Sequence, residues 1–317
     1  MALSYDPEWL EIAKPALDQA QAIKPAIHDV GARRAKFEGL MSRGQQSIHL
    51  PDNIEYIVHH VPVAGGHEID IHHVRNTNVL GDDPSPVILH IHGGGYFSFQ
   101  AIHSVPALAH YVSSTGVAMI TINYRLAPEN PFPTPLEDCW SVLMWVHHHA
   151  PELCVDRSRI AVMGESAGGG LAAGLTLLAR DRGLMPKLAK HLLIYPMLDD
   201  RICSDYTGGL CFFDLDDAIT GWAAYLGKDM GTDRVSPYAA PARAKTVDSL
   251  PRLYLECPQL DILLPENLRY VQMFVEAKIP TEFHLLEGLP HGFISLAPTA
   301  TASKTAIETR MRAMKTI

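Results

Sequence analysis

Ser166 is the residue in this sequence that is best placed to act as a nucleophile. It lies at the centre of residues 164–168, which read Gly-Glu-Ser-Ala-Gly. The apolar run 159–163 before it predicts a buried strand, and the segment rich in small residues after it predicts a helix. A sharp turn from strand to helix exposes a serine hydroxyl at the edge of a sheet, and flanking glycines relieve the crowding there. The pattern therefore predicts a serine that attacks acyl groups.

A glycine run upstream of the serine is suited to binding the negative charge that acyl transfer creates. Residues 92–95 read His-Gly-Gly-Gly and follow the strand-like run 86–91. A tetrahedral oxyanion needs preorganised backbone N–H donors, and glycine allows the backbone to approach a substrate closely. The residue that follows such a serine supplies a further N–H group. We therefore expect the donors at Gly94, at Gly95 or Gly93, and at Ala167; the alternative is a flexible glycine turn.

The general base is predicted from its position along the chain, because the sequence holds 17 histidines. His291 lies near the C-terminus, just after the strand-like run 282–286. In hydrolases with a serine on a strand-to-helix turn, the acid and then the histidine follow the serine along the chain. A late loop histidine fits that order, whereas His284 falls inside the strand-like run. The sequence therefore favours His291 as the base.

The acid that orients the imidazole and stabilises its charged form is predicted at Asp261. This residue follows the strand-like run 252–257, and loops after strands position catalytic groups in open α/β sheets. Glu256 within the run and Glu266 in the next predicted helix are the alternatives, and Asp248 before the run is less well placed.

Five motifs in this order resemble those of the hormone-sensitive-lipase-like carboxylesterases, also called bacterial esterase family IV. They are the His-Gly-Gly-Gly run, Tyr124-Arg125-Leu126-Ala127-Pro128-Glu129, the serine run, Asp261 and Pro290-His291-Gly292-Phe293. The resemblance extends from about residue 50 to the C-terminus. It implies an α/β-hydrolase fold, in which helices flank a mostly parallel central sheet and a helical cap covers the site. It also implies hydrolysis of short- to medium-chain carboxylic esters without a metal or an organic cofactor.

Two positions depart from the pattern of that family. Glu165 stands where the family commonly has aspartate, and residues 261–265 read Asp-Ile-Leu-Leu-Pro where it usually has Asp-Pro-Leu-x-Asp. The first aspartate of that motif, which the family uses catalytically, is kept. We expect Glu165 to hold the turn by hydrogen bonding and His92 to support its loop. The resemblance assigns the oxyanion donors to Gly94, Gly95 and Ala167, with Gly93 shaping the turn.

The elements that must position these residues alternate along the chain. Two runs, 54–63 and 67–75, predict a leading hairpin, and further strand-like runs follow at 86–91, 117–123, 159–163, 191–195, 252–257 and 282–286. Helical patterns fall at 101–114, 134–149, 166–181, 265–278 and 300–315. Such alternation predicts a mainly parallel sheet with helices on both faces and the hairpin at one edge. Three prolines, Pro7, Pro15 and Pro25, predict two or three short helices within residues 7–39.

Two segments are predicted to cover the site. We expect cap helices in residues 1–48, the hydrolase core at 49–198, a cap or lid insertion at 199–235 and the rest of the core at 236–317. The insertion interrupts the alternation where connections are usually short, although an ordinary surface excursion is the alternative. In the resembling family the N-terminal helices and this insertion form the cap together. The candidate substrate-binding residues are aromatic: Tyr96, Phe212, Phe213 and Trp222.

Bulk properties exclude several other classes of protein. The 317 residues carry a formal net charge of −9, so no basic surface for nucleic acid is expected. Five scattered cysteines predict free thiols in a reducing compartment. Neither a signal-peptide pattern nor an apolar stretch of about 18 residues occurs, so we expect a cytoplasmic protein without a membrane span. The expected partner is a small-molecule ester, and the resemblance makes a homodimer possible.

Other interpretations of the sequence remain open. The same triad would also serve on amides, acetylated metabolites or lactones. A small-molecule receptor on this fold would have a broken triad, and a scaffolding protein would have a charge run, a repeat or a coiled coil. The three histidines at 147–149 suggest a metal site, but adjacent residues on a helix point apart and cannot share a tetrahedral ion.

Overall fold

Eight strands form the sheet that carries the candidate site. A computed structural model describes residues 2–41, 50–79, 81, 83–202 and 204–317. In those residues the strands are β1 (Ile54–Val63), β2 (His67–Asn76), β3 (Ser85–Ile91), β4 (Ala118–Ile122), β5 (Val155–Glu165), β6 (Lys190–Ile194), β7 (Arg252–Leu260) and β8 (Thr281–Pro290). All eight predicted strands are therefore present, with ends that differ by a few residues.

The sheet has the order β1-β2-β4-β3-β5-β6-β7-β8. The six strands β3 to β8 pair in parallel. Strands β1 and β2 form the antiparallel hairpin at one edge, as the sequence predicts, and β2 pairs antiparallel with β4. Every residue of the inner strand β6 is buried, and its second half, Leu192–Ile194, is a continuous apolar run rather than an alternating one.

The register of the central strands brings the motifs to one edge of the sheet. Ile91 at the end of β3 lies opposite Gly164 of β5, and Glu165 lies opposite Ile194 of β6. Ile194 in turn lies opposite Glu256 of β7. Since these strands are parallel, the segments that follow them emerge side by side at their carboxyl ends.

Nine α-helices connect or flank the strands in the described part of the chain. They are α1 (Pro7–Ala22), α2 (Val30–Met41), α3 (Val105–Thr115), α4 (Thr134–His148), α5 (Ala167–Asp181), α6 (Leu215–Leu226), α7 (Leu264–Glu276), α8 (Phe293–Leu296) and α9 (Thr301–Met314). Helix α3 packs against α9, and α4 packs against α5, so helices flank the sheet in two groups. The helix predicted from residue 101 instead starts with the 3-10 turn Ala101–Ser104, and α3 begins at Val105.

The N-terminal helices are anchored on the core by specific contacts. Two helices form in residues 7–39, and Pro15 lies inside α1 rather than ending it. Pro15 is on the exposed side of α1, and the opposite side is buried, which stabilises the helix by packing. The indole Nε1 of Trp9 donates to the carbonyl of Phe293 at 3.0 Å, and the N–H of Asp6 donates to Gly288 at 2.9 Å.

Two sequence-based expectations concern membranes and thiols. Among the described residues, no helix is both long and apolar enough to cross a membrane. Four cysteines carry free thiols, namely Cys139, Cys154, Cys211 and Cys257, while Cys203 lies outside the described residues.

Candidate active site

Ser166 occupies a strained turn between β5 and α5. Its backbone has φ 55° and ψ −120°, and a positive φ is uncommon for a residue with a side chain. Backbone hydrogen bonds hold it there: its N–H donates to Ile194 at 2.9 Å, and its carbonyl accepts from Met197 at 2.9 Å. Its hydroxyl does not cap the helix that follows and is therefore available for chemistry.

The two glycines beside Ser166 are required by close backbone contacts. A Cβ on Gly164 would lie 2.1 Å from the carbonyl oxygen of Gly168. A Cβ on Gly168 would lie 2.1 Å from the oxygen of Ile91 and 2.4 Å from that of His92. Real Cβ atoms do not approach so closely, so the turn packs against the end of β3 only with glycine at both positions.

The three residues predicted to form the triad are connected by hydrogen bonds. His291 Nε2 lies 2.8 Å from Ser166 Oγ, and His291 Nδ1 lies 2.6 Å from Asp261 Oδ2. Asp261 is fully buried, and its other oxygen accepts from the N–H of Leu263 at 2.9 Å. Ser166 and His291 each keep 6% of their surface exposed, so both can meet a small molecule. The arrangement can transfer a proton from serine to imidazole.

Two aromatic side chains pack against the imidazole of His291. The ring centroid of Tyr195 lies 4.5 Å from that of His291, and Phe213 lies 4.9 Å away. Phe213 belongs to the insertion between β6 and β7, and its neighbour Phe212 lies beside Gly292. These two candidate substrate-binding residues are therefore placed at the edge of the triad.

The alternatives for the acid have other partners. Glu256 is 1% exposed and accepts hydrogen bonds from Arg310 and from the hydroxyl of Tyr254. Glu266 accepts from the backbone N–H groups of Leu198 and Asp199, and burial raises its pKa well above the usual range. Of these carboxylates only Asp261 contacts His291.

The alternative histidine and the least favoured acid also lie elsewhere. His284 lies inside β8, where its Nε2 is 2.6 Å from Glu282 Oε1. Asp248 is exposed, and its N–H and carbonyl bond to Thr246 and Arg180.

The glycine run lies directly against the serine. A Cβ on Gly93 would be 3.3 Å from Ser166 Cβ, and the carbonyl of Gly94 closes a tight turn by accepting from Phe97 at 3.1 Å. Gly94 and Gly95 have φ of 107° and 61°. Within the part of the chain that the structure describes, no oxygen accepts from the N–H groups of Gly94, Gly95 or Ala167. Such free donors beside a nucleophile suit an oxyanion.

The buried rings of His92 and Tyr124 form hydrogen bonds with backbone carbonyls of this loop. His92 Nδ1 lies 2.8 Å from the carbonyl of Gly93, and burial lowers the His92 pKa to about 3, so the ring is neutral and donates. Tyr124 stacks on His92 at 4.3 Å, and its hydroxyl donates to the His92 carbonyl at 2.9 Å. Next to it, Arg125 forms a two-pronged ion pair with the buried Asp138. His92 therefore contacts the loop that it is predicted to support.

Glu165 differs from its expected role. No described residue forms a hydrogen bond with its carboxylate; instead it pairs with Arg310 of α9 at 3.8 Å. Arg310 is 2% exposed and also bonds to Glu256 at 2.6 Å and to the hydroxyl of Tyr111 at 3.2 Å. Loss of solvent around Glu165 raises its pKa. Sequence reasoning missed Arg310 because nothing local to it indicates a contact with the serine turn.

The other two candidate substrate-binding residues lie deeper than Phe212 and Phe213. Tyr96 and Trp222 are fully buried, with ring centroids 5.2 Å apart. Tyr96 also stacks on Tyr225 at 4.2 Å, so these rings join the glycine run to helix α6.

The three adjacent histidines do not converge. His147 Nε2 lies 3.1 Å from the carbonyl of Met185, His149 Nδ1 lies 2.9 Å from that of Trp145, and the ring of His148 is perpendicular to that of His147. Among the described residues, no three histidine, cysteine or acidic side chains cluster so that they could hold a metal ion.

Comparison with known proteins identifies relatives over most of the chain. The profile of a family described as alpha/beta hydrolase fold matches residues 88–295. The esterase LipI of Mycobacterium tuberculosis is 31% identical over 236 residues, which are 74% of this chain and 73% of that protein. An arylesterase of Saccharolobus solfataricus is 30% identical over 220 residues, 68% of this chain and 70% of the relative. Among solved structures, a bacterial heroin esterase is 34% identical with a TM-score of 0.88, covering 99% of this chain and 98% of that one.

Proposed function

This chain belongs to the alpha/beta hydrolase family, in its hormone-sensitive-lipase-like branch, and we propose that it is a serine carboxylesterase that works through an acyl-enzyme. The observation that carries the proposal is the continuous hydrogen-bonded path from Ser166 Oγ through His291 to the buried Asp261. The names of the relatives, which are esterases, support the same reaction class.

In the acylation step Ser166 Oγ attacks the ester carbonyl carbon while His291 Nε2 removes the hydroxyl proton. The imidazole becomes positively charged, and the carboxylate of Asp261 stabilises that charge and holds the tautomer with a proton on Nδ1. Because Asp261 is fully buried, its charge acts on His291 in surroundings of low dielectric constant.

The negative charge on the former carbonyl oxygen is bound by backbone N–H groups. We assign Gly94, Gly95 and Ala167 to this task, with Gly93 shaping the approach to the serine. Ala167 is the first residue of α5, so its N–H also lies at the positive end of a helix. Each such donor contributes roughly 100- to 1,000-fold to kcat in comparable hydrolases.

His291 then gives its proton to the leaving alcohol, and the acyl group stays on Ser166. Water attacks the acyl-enzyme with His291 again as the base, which releases the acid and restores the serine. Every proton that is transferred in this cycle passes through His291, and water is the co-reactant that completes it.

The substrate class proposed is esters with short to medium acyl chains. Phe212 and Phe213 provide an apolar edge beside His291 for the organic part of such a substrate. We propose that residues 1–48 and 199–235 form a cap and that residues 49–198 and 236–317 form the core. The contacts of α2 with α6, and of α6 with Gly95 of the glycine run, support this division.

The test is release of p-nitrophenol from acetate, butyrate, octanoate and palmitate esters, with Ser166→Ala alongside. We expect turnover of the shorter esters by the wild-type protein and loss of it in the variant. Strong turnover of palmitate would instead indicate a lipase. If the folded wild-type protein hydrolysed none of the four esters, the proposal would be contradicted. Amides and lactones would then be screened.

A further inference from the structure

Arg34 of helix α2 binds the glycine loop, which is the segment 92–100 that follows β3 and contains the glycine run. Its Nε donates to the carbonyl of Phe97 at 2.6 Å, and its Nη2 donates to the carbonyl of Ala127 at 2.8 Å. The remaining face of the guanidinium forms a two-pronged pair with Glu129, at 2.7 and 2.6 Å. Arg34 lies in the N-terminal helices, far along the chain from all three partners.

The two carbonyls that Arg34 binds belong to loops that already contact each other. The N–H of Ala127 donates to the carbonyl of Tyr96 at 3.0 Å, which joins the loop after β4 to the glycine loop. The N–H of Phe97 donates to Gly94 and closes the tight turn there. Arg34 therefore holds the far end of the turn whose near end presents the free N–H groups.

Helix α6 touches the same loop from another direction. A Cβ on Gly221 would lie 2.7 Å from the carbonyl oxygen of Gly95, so the two backbones are in direct contact. Phe37, one turn after Arg34, packs on Phe97 and on Phe99 with ring centroids 6.0 and 6.1 Å apart. The glycine loop is thus bounded by two helices of the proposed cap, and Arg34 supplies its directed hydrogen bonds.

The guanidinium is suited to this position because it is planar and rigid. A fork of fixed N–H directions fixes the two carbonyls relative to each other, which a flexible ammonium group does not do. The side chain of Arg34 is 27% exposed and that of Glu129 is 58% exposed, so the ion pair itself adds little stability. Hydrogen bonding to Arg34 lowers the Glu129 pKa to about 2, so the pair stays charged at any assay pH near neutrality.

We propose that Arg34 is a positioning residue for the oxyanion-binding loop: through the carbonyls of Phe97 and Ala127 it sets where the N–H groups of Gly94 and Gly95 point. This proposal rests on the proposed esterase function. It assigns to an N-terminal helix a part in stabilising the transition state, in addition to covering the site.

The experiment compares four variants with the wild-type protein. Arg34→Gln removes the fork, and Arg34→Lys keeps the charge without it. Glu129→Gln removes the charge of the partner but leaves both carbonyl contacts of Arg34. Arg182→Gln is the matched control, because Arg182 forms the same two-pronged pair with Glu137 away from the site.

The first readouts are kcat and KM for a short-chain nitrophenyl ester. The concentration of enzyme that enters kcat is the number of reactive serines, counted with a fluorophosphonate probe. The second readout is the affinity for a boronic acid that forms a tetrahedral adduct with the serine. We expect both Arg34 variants to lower kcat and boronate affinity by roughly 10- to 100-fold, because small displacements of catalytic groups have effects of that order. KM should change by less than about threefold, since ground-state binding uses other contacts. Glu129→Gln and Arg182→Gln should stay within about twofold of the wild-type kcat.

Three outcomes would overturn the proposal. In the first, the Arg34 variants raise KM at unchanged kcat, which indicates that Arg34 only holds the cap. In the second, Glu129→Gln matches Arg34→Gln, which assigns the effect to the ion pair. In the third, Arg34→Lys, the variant less prone to misfolding, binds the boronate as the wild type does. Failure of the esterase proposal itself is distinct, because the wild-type protein would then be inactive in the same assay.

Discussion

At the scale of single residues, the site separates two buried carboxylates that lie five positions apart. Asp261 and Glu266 are both shielded from water, but their hydrogen-bond partners differ. Asp261 faces an imidazole that can become charged, whereas Glu266 accepts hydrogen bonds from the backbone N–H groups of Leu198 and Asp199 and has a pKa that burial raises. Burial alone therefore does not make a carboxylate useful to a histidine; the orientation of its oxygens does.

Replacement of Asp261 by asparagine is the sharpest test of that difference. Asp261→Asn keeps size and shape but favours the wrong imidazole tautomer, so we expect kcat to fall by about 10,000-fold. Glu266→Gln should leave kcat within roughly threefold, because an amide oxygen can still accept from the N–H groups of Leu198 and Asp199. Ester hydrolysis and melting temperature are measured for both; near wild-type turnover in Asp261→Asn would refute the assignment of the acid.

The residues that we propose to react could be selected from the sequence because each lies in a local pattern. Ser166 follows an apolar run and precedes small residues, and the loops of Asp261 and His291 each follow a strand-like run. The contacts of Glu165 with Arg310 and of Phe97 with Arg34 were not predictable, because they join residues far apart in sequence through side chains with no local periodicity.

At the scale of elements, charged side chains join two helices of the proposed cap. Arg33 and Lys36 of α2 both pair with Asp217 of α6, and all three side chains are buried. The N–H of His28, just before α2, donates to Thr220 Oγ1 at 3.0 Å. We expect a buried carboxylate between two cations to fix the relative position of these helices more specifically than apolar packing alone.

Removal of that carboxylate should loosen the cap. Asp217→Ala leaves Arg33 and Lys36 buried without a counter-charge, and we expect the free energy of unfolding to fall by about 3–5 kcal/mol. Asp229→Ala is the matched control, because its partner Arg234 is 65% exposed, and its cost should be below about 1 kcal/mol. Urea unfolding monitors both, and similar losses in the two variants would show that Asp217 has no special role.

The elements themselves were largely predictable, and the exceptions have physical reasons. Strand-like runs located all eight strands, and the two strands of the hairpin were among them. Strand order was not predictable beyond the edge hairpin, since β4 lies between β2 and β3 through pairings that no local pattern encodes. Pro15 was expected to break a helix that tertiary packing preserves. The homodimer and the cytoplasmic location stay predictions.

At the scale of the whole molecule, buried histidines make the free energy of unfolding depend on pH. Burial lowers the pKa of His73 to about 4 and those of His90, His92 and His191 to about 3. Each is neutral in the folded protein, while the unfolded chain protonates near its ordinary pKa of about 6.5. The unfolded state therefore binds more protons as the pH falls below that value, so stability is retained at neutral pH and lost on acidification.

His191 isolates this effect in one side chain. It lies in β6 with no exposed surface, packs edge-on against Phe274 at 5.2 Å, and neither ring nitrogen has a partner among the described residues. Between pH 7 and pH 5 a histidine that protonates only on unfolding costs about 2 kcal/mol of stability. We therefore expect the free energy of unfolding of His191→Leu to fall between pH 7 and pH 5 by about 2 kcal/mol less than that of the wild-type protein. Urea unfolding at both pH values measures this difference. His148→Leu, at an exposed position, should lose as much as the wild type. An unchanged acid dependence in His191→Leu would place the sensitivity in the other buried histidines.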